Sequence, residues 1–116
     1  MQFITHTIDE TGTTLVTISV KDYVPTQFSD LLETIQNIRR HSVSMNISFD
    51  MRDAGIISFE QFQSISKLVF DVIEYTKDDN LLRRVEIVGA GFFFKLLYRP
   101  VSLAVPRQIR DMIVFV

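Results

Sequence analysis

The apolar residues of this chain change their spacing as it proceeds, and that change limits the folds open to it. Through the first twenty residues the pattern alternates. Phe3, Thr5, Thr7, Thr13, Leu15, Thr17 and Ser19 fall on one side, against Ile4, Ile8, Val16, Ile18 and Val20 on the other. β-Branched residues at period two suit a pleated, half-buried surface, so two strands are expected. Asp9-Glu10-Thr11-Gly12 between them is a polar link with a glycine for a positive φ, which makes the pair a hairpin.

From residue 24 the period lengthens. Val24-Pro25 opens a helix whose stripe is Phe28, Leu31, Leu32, Ile35 and Ile38, closed by Arg39-Arg40-His41 at the negative end of its dipole. Alternation returns over Ser44–Met51, where Met45, Ile47 and Phe49 face away from Ser44, Asn46 and Ser48. Ser58-Phe59-Glu60-Gln61 reads as a capping box. The helix it starts carries Phe59, Phe62, Ile65, Leu68, Val69, Val72 and Ile73, and runs out at Thr76-Lys77-Asp78-Asp79-Asn80. Arg84–Val88 is a fourth strand, ended by Gly89-Ala90-Gly91. A helix from Phe92 to about Tyr98 should stop before Pro100, Pro106 should open one more short turn, and Ile113–Val116 is a final buried strand. The order β-β-α-β-α-β-α-β predicts an α/β fold: one mixed sheet of about five strands, an N-terminal hairpin followed by parallel βαβ units, with helices packed on it.

The chain has 116 residues, enough for one domain spanning 1–116. Hydrophobic residues make up 47% and charged residues 22%, which excludes a disordered tail. Twelve basic against fourteen acidic residues leave a net charge of −2, so no basic field draws the chain to nucleic acid, and the arginine pairs 39/40, 83/84 and 107/110 are scattered. There is no cysteine, hence no disulfide, thiolate nucleophile or cysteine-ligated metal. Nothing resembles a signal peptide or a membrane-spanning segment, and a cytoplasmic location is expected.

At this level the string resembles the STAS domain and, in its C-terminal half, the CRAL-TRIO lipid-binding domain. Phe49-Asp50-Met51-Arg52 between hairpin-helix and helix-strand-helix is similar to the STAS order. Asp50–Ile56, Tyr75–Ala90, Phe93–Pro100 and Arg110–Phe115 are similar to CRAL-TRIO segments over about residues 44–116. A hairpin stands here where CRAL-TRIO domains have an N-terminal helical part. In STAS anti-sigma antagonists a phosphorylatable serine follows an aspartate at the helix start, and Ser58 falls where that aspartate would be.

Little in the chain supports catalysis. His6 and His41 have no GxSxG elbow or cysteine nearby. Asp50, Asp53 and Glu60 could hold magnesium or calcium, although Asp53 before Gly55 is also an ordinary turn residue. Gly89-Ala90-Gly91 before a helix could face an anion, or merely allow a tight turn. No metal or cofactor is expected.

The strongest functional feature is Phe92-Phe93-Phe94-Lys95-Leu96-Leu97-Tyr98-Arg99. At about 100° per residue its apolar side chains cover every face of a short helix, and a sheet hides only one. The expectation is therefore a non-enzymatic binding module. Phe92, Phe93, Phe94, Lys95, Leu97, Tyr98 and Arg99 would recognise an apolar or lipid-like ligand, a membrane surface or a protein. The bland alternative is that residues 100–112 fold over these aromatics. The other functional reading is a STAS-type regulatory interaction module that grips a partner through Asp53, Gly55 and Ser58, as a monomer or a homodimer.

Overall fold

The computed structural model describes residues 3–52, 57–76 and 81–116. The N-terminal hairpin is β1 (Ile4–Ile8) and β2 (Thr13–Ser19), paired antiparallel. Asp9 builds the reversal. Its Oδ1 accepts from the backbone N–H groups of Thr11 and Thr13, at 2.9 and 3.0 Å, and from the Thr11 hydroxyl at 2.6 Å. The Thr11 hydroxyl, and then the Thr13 backbone, favour the ionised carboxylate and hold its pKa below the usual aspartate value. Gly12 takes the positive φ, 85°, that the link needs.

Two 3₁₀ turns, Val20–Asp22 and Pro25–Gln27, carry the chain to α1 (Phe28–Arg40). Proline thus opens a 3₁₀ turn, and the α-helix begins three residues later than its position suggested. β3 (Ser44–Asp50), α2 (Phe59–Thr76), β4 (Leu82–Val88), α3 (Phe92–Ser102), α4 (Arg107–Met112) and β5 (Ile113–Phe115) follow.

The sheet order is β1-β2-β3-β4-β5, with every pair after the hairpin parallel. The register places Val16, Ile47, Val85 and Ile113 in one row and Ile18, Phe49, Ile87 and Phe115 in the next. These rows form one apolar cluster with Leu31 and Ile35 of α1, Phe62, Leu68, Val69, Val72 and Ile73 of α2, and Phe94 of α3. The opposite rows, including Thr17-Ser48-Glu86 and Leu15-Asn46-Arg84, add nothing to that cluster. The sheet is therefore two-faced, and its parallel strands alternate where strands covered on both sides would read as continuous apolar runs.

Two terminal elements differ from expectation. α3 continues through Pro100 to Ser102. Pro100 is exposed and, lacking an N–H, leaves one i→i−4 hydrogen bond of the ladder unmade. β5 is half-buried rather than buried, because it is an edge strand. Val116 lies beyond the strand with its side chain exposed, yet its N–H still donates to the Ile87 carbonyl at 3.0 Å.

Candidate functional site

α3 divides the residues that the sequence grouped together. Gly91 caps it, and the turn before it needs Gly89, whose φ is 73° and where a Cβ would lie 2.6 Å from Arg52 Cγ. Phe94, Leu97, Tyr98 and Val101 recur at i, i+3, i+4 and i+7 and turn inward against the core. Phe94 is 2% exposed, with its ring 4.9 Å from Phe62 and 6.2 Å from Phe115 in edge-to-face contacts. Phe94 therefore cannot meet a ligand at the surface, contrary to the sequence expectation; it locks α3 to α2 and β5. Tyr98 lies 5.1 Å from Phe115, its hydroxyl is buried without a hydrogen-bond partner, and burial pushes its pKa up against the nearby charge of Arg110.

The other side of α3 faces outward. Phe92 is 81% exposed, Leu103 nearly as much, and Phe93 and Leu96 about half. Lys95 and Arg99 stand beside them, exposed and four residues apart. Residues 100–112 leave this side open. Phe92, Phe93, Lys95 and Arg99 are the members of the expected set that remain accessible, with Leu96 and Leu103 added by the fold.

A second feature has no counterpart in the sequence reading. A groove of about 710 Å³ opens between the 3₁₀ turns before α1 and the stretch of α2 from Gln61 to Asp71. Val20, Phe28, Ile57, Ile65 and Leu68 make its apolar part, and Tyr23 and Pro25 one wall. Lys21, Gln61, Ser64, Lys67 and Asp71 supply the polar part of its lining. Lys67 and Asp71, one helical turn apart, bridge at 2.6 Å. The Tyr23 ring meets Phe3 edge to face at 5.6 Å, and burial, then the charge of Asp71, raises its pKa, so the phenol stays a donor at neutral pH. The groove lies where the chain leaves the carboxyl end of β2, the end at which open α/β sheets gather ligands. Its size and mainly apolar floor match small-molecule sites. The sequence could not show it, because its lining joins Val20–Phe28 to Ile57–Asp71, segments about thirty residues apart in the chain.

The remaining candidates are structural or lie apart. The capping box forms: Ser58 Oγ accepts from the Gln61 N–H at 3.1 Å, and Gln61 Oε1 accepts from the Ser58 N–H at 2.7 Å. Ser58 is thereby the cap of α2, while Asp53 and Gly55, its companions in the regulatory reading, lie outside the described residues. Asp50 is clamped by Arg52, whose Nε and Nη2 donate at 3.0 and 2.8 Å. That side-chain pairing outweighs desolvation and lowers the carboxyl pKa. Among the described residues no three histidine, aspartate or glutamate side chains converge as metal ligands. The fold does bring His6 and His41, distant in sequence, to one smaller cleft of about 260 Å³.

Comparison with solved structures shows what the fold is similar to. The structure is similar to the crystal structure of Sfh5, a protein of the Sec14/CRAL-TRIO family, at a TM-score of 0.61 and 14% identity. The fold, in outline, is CRAL-TRIO-like. The match covers 97% of this chain but only 48% of Sfh5, so the chain spans about half the length of that protein. No protein-family model matches the chain, and no curated protein matches it by sequence. No helix among the described residues is long and apolar enough to cross a membrane.

Proposed function

We propose that the chain is a non-enzymatic binding module for a lipid-like amphiphile, held in the groove between α2 and the 3₁₀ turns before α1. The observation that carries this is the groove itself: an apolar floor for a tail, with Lys21, Gln61, Ser64, Lys67 and Asp71 placed to meet a polar head. Likeness to Sfh5 supports the reading at the level of fold. Affinity would come from tail burial, at roughly 25 cal/mol per Å² removed from water, less the cost of ordering the ligand. Native mass spectrometry of the protein purified from cells, compared with denaturing ionisation, tests it together with titration of a fluorescent long-chain fatty acid. A bound lipid-sized mass and saturable binding are expected, both lost in Ser64→Trp. A bare chain that binds no probe overturns the assignment.

The outer side of α3 favours a second reading, as a peripheral contact with a membrane surface. Phe92, Phe93 and Leu96 would enter the interface, with Lys95 and Arg99 beside anionic headgroups. Sedimentation with anionic vesicles should then fall in Phe92→Ser and in Lys95→Glu. Sedimentation unchanged in both variants rejects it.

A further inference from the structure

β1 reads Ile4-Thr5-His6-Thr7-Ile8, the same sequence in either direction. It is also an edge strand, hydrogen-bonded only to β2. The two ends of the hairpin reveal which of its backbone groups are free. Asp9 N–H donates to the Thr13 carbonyl at 2.9 Å, and Ser19 N–H to the Phe3 carbonyl at 2.7 Å. In an antiparallel ladder hydrogen-bonded pairs alternate with non-bonded ones. Counting inward from both ends, Thr5 exchanges bonds with Thr17 and Thr7 with Leu15, while Ile4, His6 and Ile8 are the non-bonded partners of Ile18, Val16 and Thr14. The N–H and C=O groups of Ile4, His6 and Ile8 therefore point off the edge of the sheet, and no described segment pairs with them.

Folded proteins usually blunt such an edge with lysine, proline or a bulge. Ile4–Ile8 contains neither residue and its register is unbroken. Its side chains from Thr5 to Ile8 are exposed, Ile8 by 66%.

We propose that two copies of this chain join through β1, antiparallel and centred on His6, so that their sheets become one. The palindrome is what selects a second copy as the occupant, because a two-fold interface must be complementary to itself. In this register Ile4 faces Ile8 of the copy, Thr5 faces Thr7 and His6 faces His6. The three residues whose peptide groups point outward are those that an antiparallel pair centred on His6 would bond. Ile8 of each copy gains an apolar neighbour on the helix-bearing face, and the threonines meet on the polar face. A five-residue seam falls below the about 1,200 Å² of a standard interface, so the dimer is concentration-dependent.

The absence of cysteine makes the test clean. Sedimentation equilibrium of the wild-type chain should show the average mass rising from monomer towards dimer with concentration. His6→Cys should form a covalent dimer with a short bis-maleimide, and Gln108→Cys, on exposed α4, should not. Ile8→Lys, at a side chain already in solvent, should abolish association with unchanged circular dichroism. His6→Pro should do the same by removing an N–H that β2 does not use. A chain monomeric at every concentration overturns the proposal. So does a dimer that survives Ile8→Lys and His6→Pro, or one that cross-links through Gln108→Cys as readily as through His6→Cys.

Discussion

α2 meets different neighbours along its two flanks. Towards α3 and β5 the gap is filled by rings: Phe62 touches Phe94, Phe94 touches Phe115, and Phe115 touches Tyr98. Towards α1, Tyr75 joins Gln36 and Arg39 near the C-terminal end of α2, but further back the neighbours are the 3₁₀ turns with Val20, Tyr23 and Pro25, and there a groove of about 710 Å³ stays open. The apolar stripe of α2 is similar in kind on both sides. What differs is whether the opposing side chains meet: the rings of one flank pack edge to face on one another, whereas Tyr23 and Phe28 line the other without closing it.

Substitutions can break this contrast, and the largest effect belongs to the closed flank. Phe94→Ala should cost about 3–5 kcal/mol in urea denaturation, the usual loss for a fully buried ring. A cost below about 1 kcal/mol would mean that the ring network does not hold α3. Gly89→Ala comes next, at about 1–3 kcal/mol, because an L side chain there meets both a positive φ and Arg52. The groove behaves oppositely. Ser64→Trp, at an exposed position on its lining, should change stability by no more than about 0.5 kcal/mol while displacing a fatty-acid probe. A large loss of stability would show that the groove closes in solution. Phe92→Ser should leave the melting temperature in place, since its side chain is already in water.

A further effect, also small, is in acid. Asp50 has its pKa lowered chiefly by Arg52, so the pair stabilises the fold above the ordinary aspartate pKa and is lost as pH falls through the lowered value. Arg52 is largely solvated, which keeps the contribution under about 1 kcal/mol. Asp50→Asn should remove this part of the acid dependence of the melting temperature and leave the rest.

Local patterns carried most of the architecture. The alternation of Val16 and Ile18 against Thr17, the stripe Leu31-Ile35-Ile38 and the Ser58–Gln61 box each report on neighbours within about four residues, and each appears in the structure as its spacing implies. α3 was less legible. Phe92–Tyr98 is apolar at almost every position, and a pattern without a period cannot say which ring turns inward. That was decided by Phe62 and Phe115, which lie about thirty residues before Phe94 and about twenty after it.

What the sequence determined by itself was the α/β class, the hairpin, the order of the elements and the polarity of their faces, because these follow from periodicity and short-range hydrogen bonds. Tertiary structure alone decided the groove, the placing of His6 and His41 on one cleft and the division of α3 into a core side and an open side. Each depends on distances between segments remote in the chain, and those distances are set only when the helices settle on the sheet and the side chains between them either meet or fall short.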